Sequence, residues 1–318
     1  NFNNIYIYIY MIDTLLKLRD FEDLSLVQKG GSYTDSIKLL SYNVLYKSFT
    51  FGESKGSKNK KPFGNNIIKY INKSTPDIMV LCEASPLTPK SNIGKKYWYK
   101  QITLPNYKTN IAHHSKRGSG GTVIYWSDKF RKDDSVSPYG LSISKTKIIT
   151  GYERPCIGVK LIHKKTGKKY IIIGVHYEHH LNNSNVAIKA INKILTRLKF
   201  NKSSDKVLIM GDHNEFYDDF KIKTINVKGI RLKLKTINPK NGKPYNTCCG
   251  DEDAKTKKCY TGDWKFPFDL AYSNISHMTI KVDPTITSRY KMCESKPKKF
   301  KNSTHSDHYP IIGKFEIK

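Results

Sequence analysis

An acid and an amide follow directly after an apolar run in the segment Lys206–Glu215 (KVLIMGDHNE). The run Val207–Met210 is too short for a helix and is typical of a strand that is buried on both faces. Gly211 lets the backbone turn sharply, so Asp212 and Asn214 are expected at the carboxyl end of this strand. Ligands bind just outside such ends in open α/β sheets, where an acceptor and an amide donor suit one polar ligand. Asp and Asn are also common turn residues, so this segment alone leaves a polar turn open as the alternative.

Two earlier apolar runs end in a polar side chain in the same way. The run Ile37–Val44 (IKLLSYNV) carries Asn43 at its end, and the run Ile78–Cys82 is followed by Glu83. A single Asn or Glu at such a position is more often a turn or a cap. Three such endings in one chain are harder to explain as turns or caps and favour a functional role.

Two histidines and two further acids occupy comparable positions. His176 ends a strongly apolar strand, and Asp269 lies in a short apolar strand. The segment Ser306–Ile311 (SDHYPI) places Asp307 and His308 before the last strand. Histidine serves as a general acid or base near neutral pH, although a core histidine at a strand end is the alternative for His176.

The elements that must position these residues follow from periodicity and turn signals. Amphipathic helices are expected at Asn65–Asn72 and at Ser184–Phe200. The run Lys164–Lys169, with a central glycine, predicts a hairpin turn. Residues 222–261 are rich in Lys and show weak periodicity, so their elements are not placed.

The chain is predicted to consist of a partly helical N-terminal extension, residues 1–35, and a catalytic domain, residues 36–318. Gly30–Gly31 breaks the loosely helical pattern of the extension. A short helix that ends in Gly-Gly resembles leader segments on proteins of large DNA viruses. No apolar run approaches the roughly 18 residues of a transmembrane helix, and the start lacks the basic region of a secretory signal. We therefore expect an intracellular protein of cytoplasm or nucleus, or a virion protein if the source is viral.

The formal net charge is +29, which points to an anionic partner such as nucleic acid, a membrane surface or another polyphosphate. The chain has seven Arg against forty-nine Lys, a bias that an AT-rich genome also produces. The charge therefore supports nucleic-acid binding without proving it. Of the six cysteines, Cys82 and Cys156 are expected as reduced core thiols, and the spacing of the later four fits no zinc template.

The order and spacing of the polar residues resemble the endonuclease/exonuclease/phosphatase superfamily, with the deoxyribonuclease I branch nearest. The resemblance runs from about Ile37 to Lys318. It rests on motifs with the same order along the chain: Asn43 in SYNV, Glu83 in LCE, His176 in GVH, Asp212 and Asn214 in GDHN, Asp269, and Asp307–His308 in SDHYPI. The implied fold class is α/β, a four-layer sandwich of two packed mixed β-sheets flanked by helices.

The resemblance also implies a role for each residue. Asn43, Glu83 and Asp307 would hold Mg²⁺, with Mn²⁺ as the alternative, because hard carboxylate and amide oxygens suit these ions. Asp269 would orient His308, which would act as general base or contact the phosphate. The remaining members complete the catalytic and phosphate-binding set: Asp212 to position or activate water, Asn214 to donate to the phosphoryl oxygen, His176 as general acid or phosphate donor, and Arg154 as a phosphate contact.

One feature departs from the deoxyribonuclease I branch. That branch carries a Glu just before the strand at Thr122, where it supports the first histidine, whereas this chain has RGSGG. Either Glu178 or Glu153 takes over, or His176 works without a carboxylate. The glycine-rich entry is more similar to the sphingomyelinase, deadenylase and tyrosyl-phosphodiesterase branches.

The sequence therefore predicts a Mg²⁺-dependent nuclease that cleaves DNA or RNA. The alternatives are a sphingomyelinase-like or inositol-phosphate enzyme of the same superfamily, and a basic nucleic-acid-binding protein on a decayed nuclease scaffold. The Lys-rich loops Phe51–Pro62 and Lys240–Lys258 favour a polyanionic substrate over a lipid.

Overall fold

The computed structural model describes residues 34–44, 64–84, 107, 109–114, 121–143, 154–177, 184–214, 224–236, 269–283 and 308–317. It contains helices α1 (Gly64–Ser74) and α2 (Ser184–Arg197). The strands, in chain order, are β1 Asp35–Asn43, β2 Ile78–Cys82, β3 Thr109–His114, β4 Gly121–Trp126, β5 Phe130–Lys132, β6 Tyr139–Ile143, β7 Arg154–His163, β8 Lys169–His176, β9 Asp205–Asp212, β10 Thr224–Val227, β11 Ile230–Lys233, β12 Lys235–Thr236, β13 Asp269–Ser273, β14 Thr279–Val282 and β15 Ile311–Ile317.

Most of these strands form two mixed sheets. The first has the order β14-β15-β1-β2-β4-β3, in which β1 and β2 are parallel and β2 and β4 antiparallel. The second has the order β12-β13-β9-β8-β7-β5, with β6 also paired to β7. Its β8 and β9 are parallel, while β13 runs antiparallel to β9. The predicted pair of mixed sheets is confirmed.

The two sheets pack face to face, with β2 lying across β8 and β9 and β4 lying across β7 and β8. Cys82, at the end of β2, donates its thiol to the Val175 carbonyl oxygen of β8 at 3.2 Å. Gly174 has no side chain where Thr122 and Val80 of the facing sheet approach most closely. These contacts form a closely packed layer between the sheets, and Cys82 and Cys156 are both buried and outside any disulfide, as expected.

The helices cover the outer faces of the two sheets. Ile67 and Ile71 of α1 pack against Leu40 of β1 and Met79 of β2. On the other side, the apolar face of α2 packs on β6 and β7 of the second sheet and on β10, and Ile191 and Ile194 join the same apolar cluster as Ile171 and Val207. Each helix places its apolar residues three and four apart, which puts them on one face. The result is the predicted four-layer arrangement of helix, sheet, sheet and helix.

Some element boundaries differ from the expectations. Helix α2 ends at Arg197 and not at Phe200, because Lys199 takes a left-handed φ of 49° and the Phe200 amide bonds back to the Leu195 carbonyl. No glycine marks this end, so the sequence did not signal it. Strands β3, β5 and β6 were not anticipated, and the unplaced segment 222–261 contains β10, β11 and β12.

The N-terminal extension lies almost entirely outside the described residues, so its assignment to 1–35 stays a prediction. The Lys-rich loops 51–62 and 240–258 and the four later cysteines also lie outside them. Among the described helices, none is both long enough and apolar enough to cross a membrane.

Gly211 allows β8 and β9 to approach closely at the end of the sheet. Its φ is +146°, and an added Cβ would overlap the Val175 carbonyl oxygen. We expect Gly211→Ala to lower the free energy of unfolding by about 3 kcal/mol or more, since backbone strain and overlap act together. Gly229→Ala is the matched control, because Gly229 also has a positive φ (+80°) but open space around it. We expect Gly229→Ala to lower the free energy of unfolding, measured in urea, by about 1 kcal/mol. Equal losses in the two variants would contradict a steric overlap at position 211.

Candidate active site

Three of the predicted residues lie side by side across the end of the second sheet. The parallel register of β8 and β9 pairs His176 with Asp212, and the antiparallel register of β9 and β13 pairs Asp212 with Asp269. Directly paired residues on neighbouring strands point to the same face of a sheet. His176, Asp212 and Asp269 therefore form a row that faces the first sheet, and all three are buried.

The first sheet contributes Asn43 and Glu83. Asn43 pairs with Cys82 in the parallel register of β1 and β2, so Asn43 faces the second sheet. Strict alternation would send the next residue, Glu83, to the opposite face. Glu83 instead takes a left-handed φ of +55°, and its Oε1 lies 3.5 Å from Asn43 Nδ2. Left-handed backbone costs a non-glycine residue free energy, and such strain concentrates at functional sites.

Asp212 is the centre of the cluster. Its Oδ2 accepts a hydrogen bond from Asn43 Nδ2 at 2.8 Å and lies 3.5 Å from His176 Nε2 and 3.7 Å from His308 Nε2. Its Oδ1 accepts the backbone N–H of Asn214 at 2.9 Å. The carboxylate is 1% exposed, so its orientation is set by these contacts and not by solvent.

His308 is oriented by a carboxylate. Its Nδ1 lies 2.7 Å from Asp269 Oδ2. An ionised carboxylate can only accept a hydrogen bond, so Nδ1 carries the proton and donates a hydrogen bond to Asp269. The other nitrogen, Nε2, then faces Asn43 Nδ2 at 3.4 Å and Asp212 Oδ2 at 3.7 Å. This tautomer leaves Nε2 available as a proton acceptor at the centre of the cluster.

His176 lies against an arginine. Nη1 of Arg154 is 2.6 Å from His176 Nε2 and 3.6 Å from Glu83 Oε1. Glu83 Oε1 is itself 3.8 Å from His176 Nε2. A guanidinium only donates, so in this arrangement the imidazole accepts. Glu178 and Glu153, the two expected substitutes for the missing acid, lie outside the described residues.

Asn214 is held by the backbone around it. Its Nδ2 donates to the Tyr177 carbonyl oxygen at 2.7 Å, and its φ of +50° is the second left-handed one in the cluster. The Tyr177 amide in turn donates to the Asp212 carbonyl oxygen at 2.9 Å. Tyr177 was missed in the sequence because it acts through its backbone, for which a residue type gives no signal.

His213 faces away from this cluster into the core. Its Nδ1 lies 3.0 Å from the Gly211 carbonyl oxygen, and its ring packs edge-on against Tyr177 and tilted against Tyr272. Burial lowers the pKa of His213 to about 4, because a charged imidazole would be desolvated there.

The lowered pKa of His213 predicts an acid-dependent stability. The unfolded chain binds a proton near pH 6.5 that the folded chain binds only near pH 4, so stability falls as pH decreases through this window. We expect His213→Gln to reduce that slope by about 1.4 kcal/mol per pH unit, measured by urea unfolding at several pH values. Parallel curves for the variant and the wild type would contradict the assignment.

Residues 40–284 match the model of the Endonuclease/Exonuclease/phosphatase family. The chain belongs to this family. The expected family and fold are thereby confirmed, as is the expectation of an enzyme of the phosphodiesterase and phosphatase class.

Individual relatives give a consistent result. RNA exonuclease NGL1 of Saccharomyces cerevisiae (strain ATCC 204508 / S288c) is 25% identical over 186 residues, which are 54% of this chain and 51% of that protein. The chain thus spans about half the length of this relative. The crystal structure of ANGEL2, a 2',3'-cyclic phosphatase, with adenosine-2',3'-vanadate has a TM-score of 0.58 at 14% identity and covers 89% of this chain and 96% of that chain. An Endonuclease/Exonuclease/phosphatase family protein from Bacteroides thetaiotaomicron has a TM-score of 0.57 at 17% identity, covering 90% of this chain and 99% of that chain. At such identities the two structures establish the fold alone.

The fold brings seven of the predicted residues of this family member into one cluster. They are Asn43, Glu83, Arg154, His176, Asp212, Asp269 and His308. Asn214 lies beside them, with its amide nitrogen directed to Tyr177. Asp307 lies outside the described residues, so its place as a metal ligand stays a prediction, as do the roles of the other residues.

Family members generally use a divalent metal ion, and the donor set fits one. Glu83 and Asp212 each turn a carboxylate oxygen to the Asn43 amide nitrogen, and Mg²⁺ prefers such hard carboxylate oxygens. For Asn43 to bind the ion as well, its amide would have to present Oδ1 in place of Nδ2. Ligand atoms of Asp212, Asp269 and His308 also lie within 4.8 Å of one another. His308 Nδ1 is hydrogen-bonded to Asp269, which occupies a ligand atom of each residue. We therefore interpret Asp212, Asp269 and His308 as a group that orients a general base and not as a set of metal ligands.

Proposed function

We propose that the protein is a Mg²⁺-dependent phosphodiesterase that hydrolyses nucleic acid, with RNA as its preferred substrate. The observation that carries the proposal is the position of Asp212, whose Oδ2 lies within 3.7 Å of Asn43, His176 and His308 side-chain nitrogens. A carboxylate, an oriented imidazole and an arginine around one point are the groups that water attack on a phosphodiester requires.

Glu83, Asn43 and Asp307 would hold the metal. When bound, the ion supplies positive charge that stabilises the developing negative charge on phosphate oxygens. Mg²⁺ is preferred over softer ions because the donors are oxygens of carboxylates and an amide, and Mn²⁺ is the alternative.

His308 and Asp212 handle the proton of the attacking water. Asp269 fixes the His308 tautomer, so Nε2 can accept a proton and the resulting imidazolium is stabilised by both carboxylates. Asp212 is buried and held by Asn43 and by the Asn214 amide, so it can orient a water without itself moving.

Arg154 and His176 complete the phosphate side. The Arg154 guanidinium lies beside His176 and Glu83, and its planar fork can donate two hydrogen bonds to a phosphate. His176 accepts from Arg154 in the free enzyme, which fixes the guanidinium in a position to meet the substrate. The RNA exonuclease relative and the positive net charge both favour RNA over a lipid substrate.

The test is a substrate panel with purified protein. RNA, single-stranded DNA, plasmid, a nucleoside 2',3'-cyclic phosphate, sphingomyelin and an inositol phosphate are each incubated with Mg²⁺. Asp212→Asn protein from the same preparation serves as the control for contaminating nucleases. We expect RNA to be cleaved fastest by the wild type alone; faster turnover of sphingomyelin or inositol phosphate would overturn the nucleic-acid assignment.

A further inference from the structure

The end of the sandwich opposite the active site carries a group of lysines on a tight hairpin. Strands β7 and β8 are joined by a turn, and the sequence around it is Lys164-Lys165-Thr166-Gly167-Lys168-Lys169. Lys164, Lys165 and Lys168 are exposed and Lys169 is partly exposed. We call these four lysines, together with Arg131, the hairpin surface.

The hairpin surface extends across three neighbouring strands. Arg131 of β5 pairs with Ile162 of β7, and Ile162 pairs with Lys169 of β8, so all three residues lie on one face of the sheet. Neighbouring strands lie about 4.8 Å apart, so Arg131 and Lys169 are about 10 Å apart, with the buried Ile162 between them. The lysines of the turn extend this row beyond the strand ends. The surface is therefore wide enough to meet several phosphates of one strand at once.

Much of the acidic charge at this end is already neutralised inside the fold. Asp205 is buried and bonded to Lys160 Nζ at 2.7 Å and to the Asn201 amide at 2.7 Å. Asp133 is buried, accepts hydrogen bonds from Ser135 and lies 3.6 Å from Lys169 Nζ, so it offsets one cation of the hairpin surface. Among the described residues here, Asp128, Asp134 and Glu316 are exposed, and Asp134 lies 3.6 Å from Lys132 Nζ; the hairpin surface itself carries five cations. The outward charge is therefore positive.

The turn that carries the lysines is well ordered by its own hydrogen bonds. The Gly167 amide donates to the His163 carbonyl oxygen at 2.8 Å, and the His163 amide donates to the Lys168 carbonyl oxygen at 2.9 Å. Thr166 Oγ1 lies 2.9 Å from His163 Nδ1. A fixed backbone presents the lysines in one arrangement, so binding an anion does not require ordering the loop.

We propose that the hairpin surface is a second nucleic-acid contact that holds the backbone of a long single strand outside the active site. Lysines act as point charges on phosphates without reading the base, which suits a sequence-independent contact. An anionic membrane is the weaker fit, because membrane-surface sites insert apolar side chains. Here the tip is Thr166 and Gly167, and the nearby Phe130 and Tyr170 are buried.

The distance between the active site and the hairpin surface means that only a sufficiently long strand can contact both. Lys169 and His176 lie at opposite ends of β8, seven residue steps apart, which is about 23 Å. A stacked strand advances about 3.4 Å per phosphate, so a tetranucleotide cannot reach from one site to the other. A 30-nucleotide strand reaches both.

The experiment compares a variant in which three exposed lysines of the hairpin are neutralised with a variant in which three exposed lysines of the helices are neutralised. The test variant is K164Q/K165Q/K168Q, and the control is K69Q/K189Q/K193Q, which removes the same charge from exposed positions of α1 and α2. Binding of labelled 30-nucleotide RNA is measured with EDTA present at several salt concentrations. Cleavage of the 30-mer and of a tetranucleotide is measured with Mg²⁺, and binding to phosphatidylserine vesicles is measured in parallel.

We expect the test variant alone to reduce the slope of log K against log salt by about 2, from three contacts at about 0.7 each. Its KM for the 30-mer rises, while kcat and the tetranucleotide KM stay at wild-type values. Equal losses in both variants, equal losses on both RNA lengths, or a loss confined to vesicle binding would each overturn the proposal. The choice of RNA as the bound polymer rests on the proposed function. The binding measurement does not require cleavage, so it tests the hairpin surface even if the protein fails to cleave RNA.

Discussion

Glu83→Gln is expected to abolish Mg²⁺-supported hydrolysis, with a loss of about three orders of magnitude or more in kcat. An amide has nearly the same shape as the carboxylate but lacks the negative charge that a Mg²⁺ ligand must bring. Wild-type protein treated with EDTA should lose activity to the same extent and recover it when Mg²⁺ is added. The measurement is the initial rate of RNA cleavage across a Mg²⁺ titration.

The fold of the Glu83→Gln variant should remain intact. Its side chain is at the end of β2, in contact with Asn43 and Arg154, and an amide can still bond to both. Thermal unfolding within a few degrees of the wild type is the control for this. Full activity of the variant at saturating Mg²⁺ would contradict the assignment of Glu83 as a metal ligand.

His308→Ala and Asp269→Asn are expected to lower kcat by about two to four orders of magnitude. The first removes the base. The second leaves a side chain of the same size, but its amide can donate to Nδ1 and so favours the wrong tautomer of His308. The measurement is kcat and KM for RNA, with KM expected to stay within a few-fold.

The two variants also test the pairing of these residues. Since Asp269 acts through His308, the double variant should be no slower than His308→Ala alone. Additive losses in the double variant would mean that Asp269 has a separate task. Wild-type activity of Asp269→Asn would contradict the orientation of His308.

Residues at strand ends were the part of the site that could be predicted from the sequence. Asn43, His176 and Asp212 each end an apolar run, and alternation along a strand decides which face such a residue takes. Once β8 and β9 are parallel neighbours, the positions of His176 and Asp212 in one row follow directly. The two-sheet sandwich was predicted from the resemblance of these motifs to a known family, since the strand pattern alone does not decide how strands are divided between sheets.

Contacts that depend on tertiary placement could not be read in the same way. Glu83 points to the cluster only because its backbone is left-handed, which no neighbouring residue type signals. The contact between Arg154 and His176 joins the start of β7 to the end of β8, and the sequence suggested a phosphate contact instead of a histidine partner. Strand β3 was missed because its polar sequence, TNIAHH, has no clear alternation.

Incorporation of oxygen from water into the product tests the account most directly. Wild-type and Asp212→Asn proteins are incubated with Mg²⁺ and a 30-nucleotide RNA in H₂¹⁸O, and the product phosphates are analysed by mass spectrometry. The account predicts one ¹⁸O in the new terminal phosphate from the wild type, and a rate about 10² to 10⁴ times lower for Asp212→Asn. Cleavage by Asp212→Asn at the wild-type rate, or wild-type products without ¹⁸O, would contradict it.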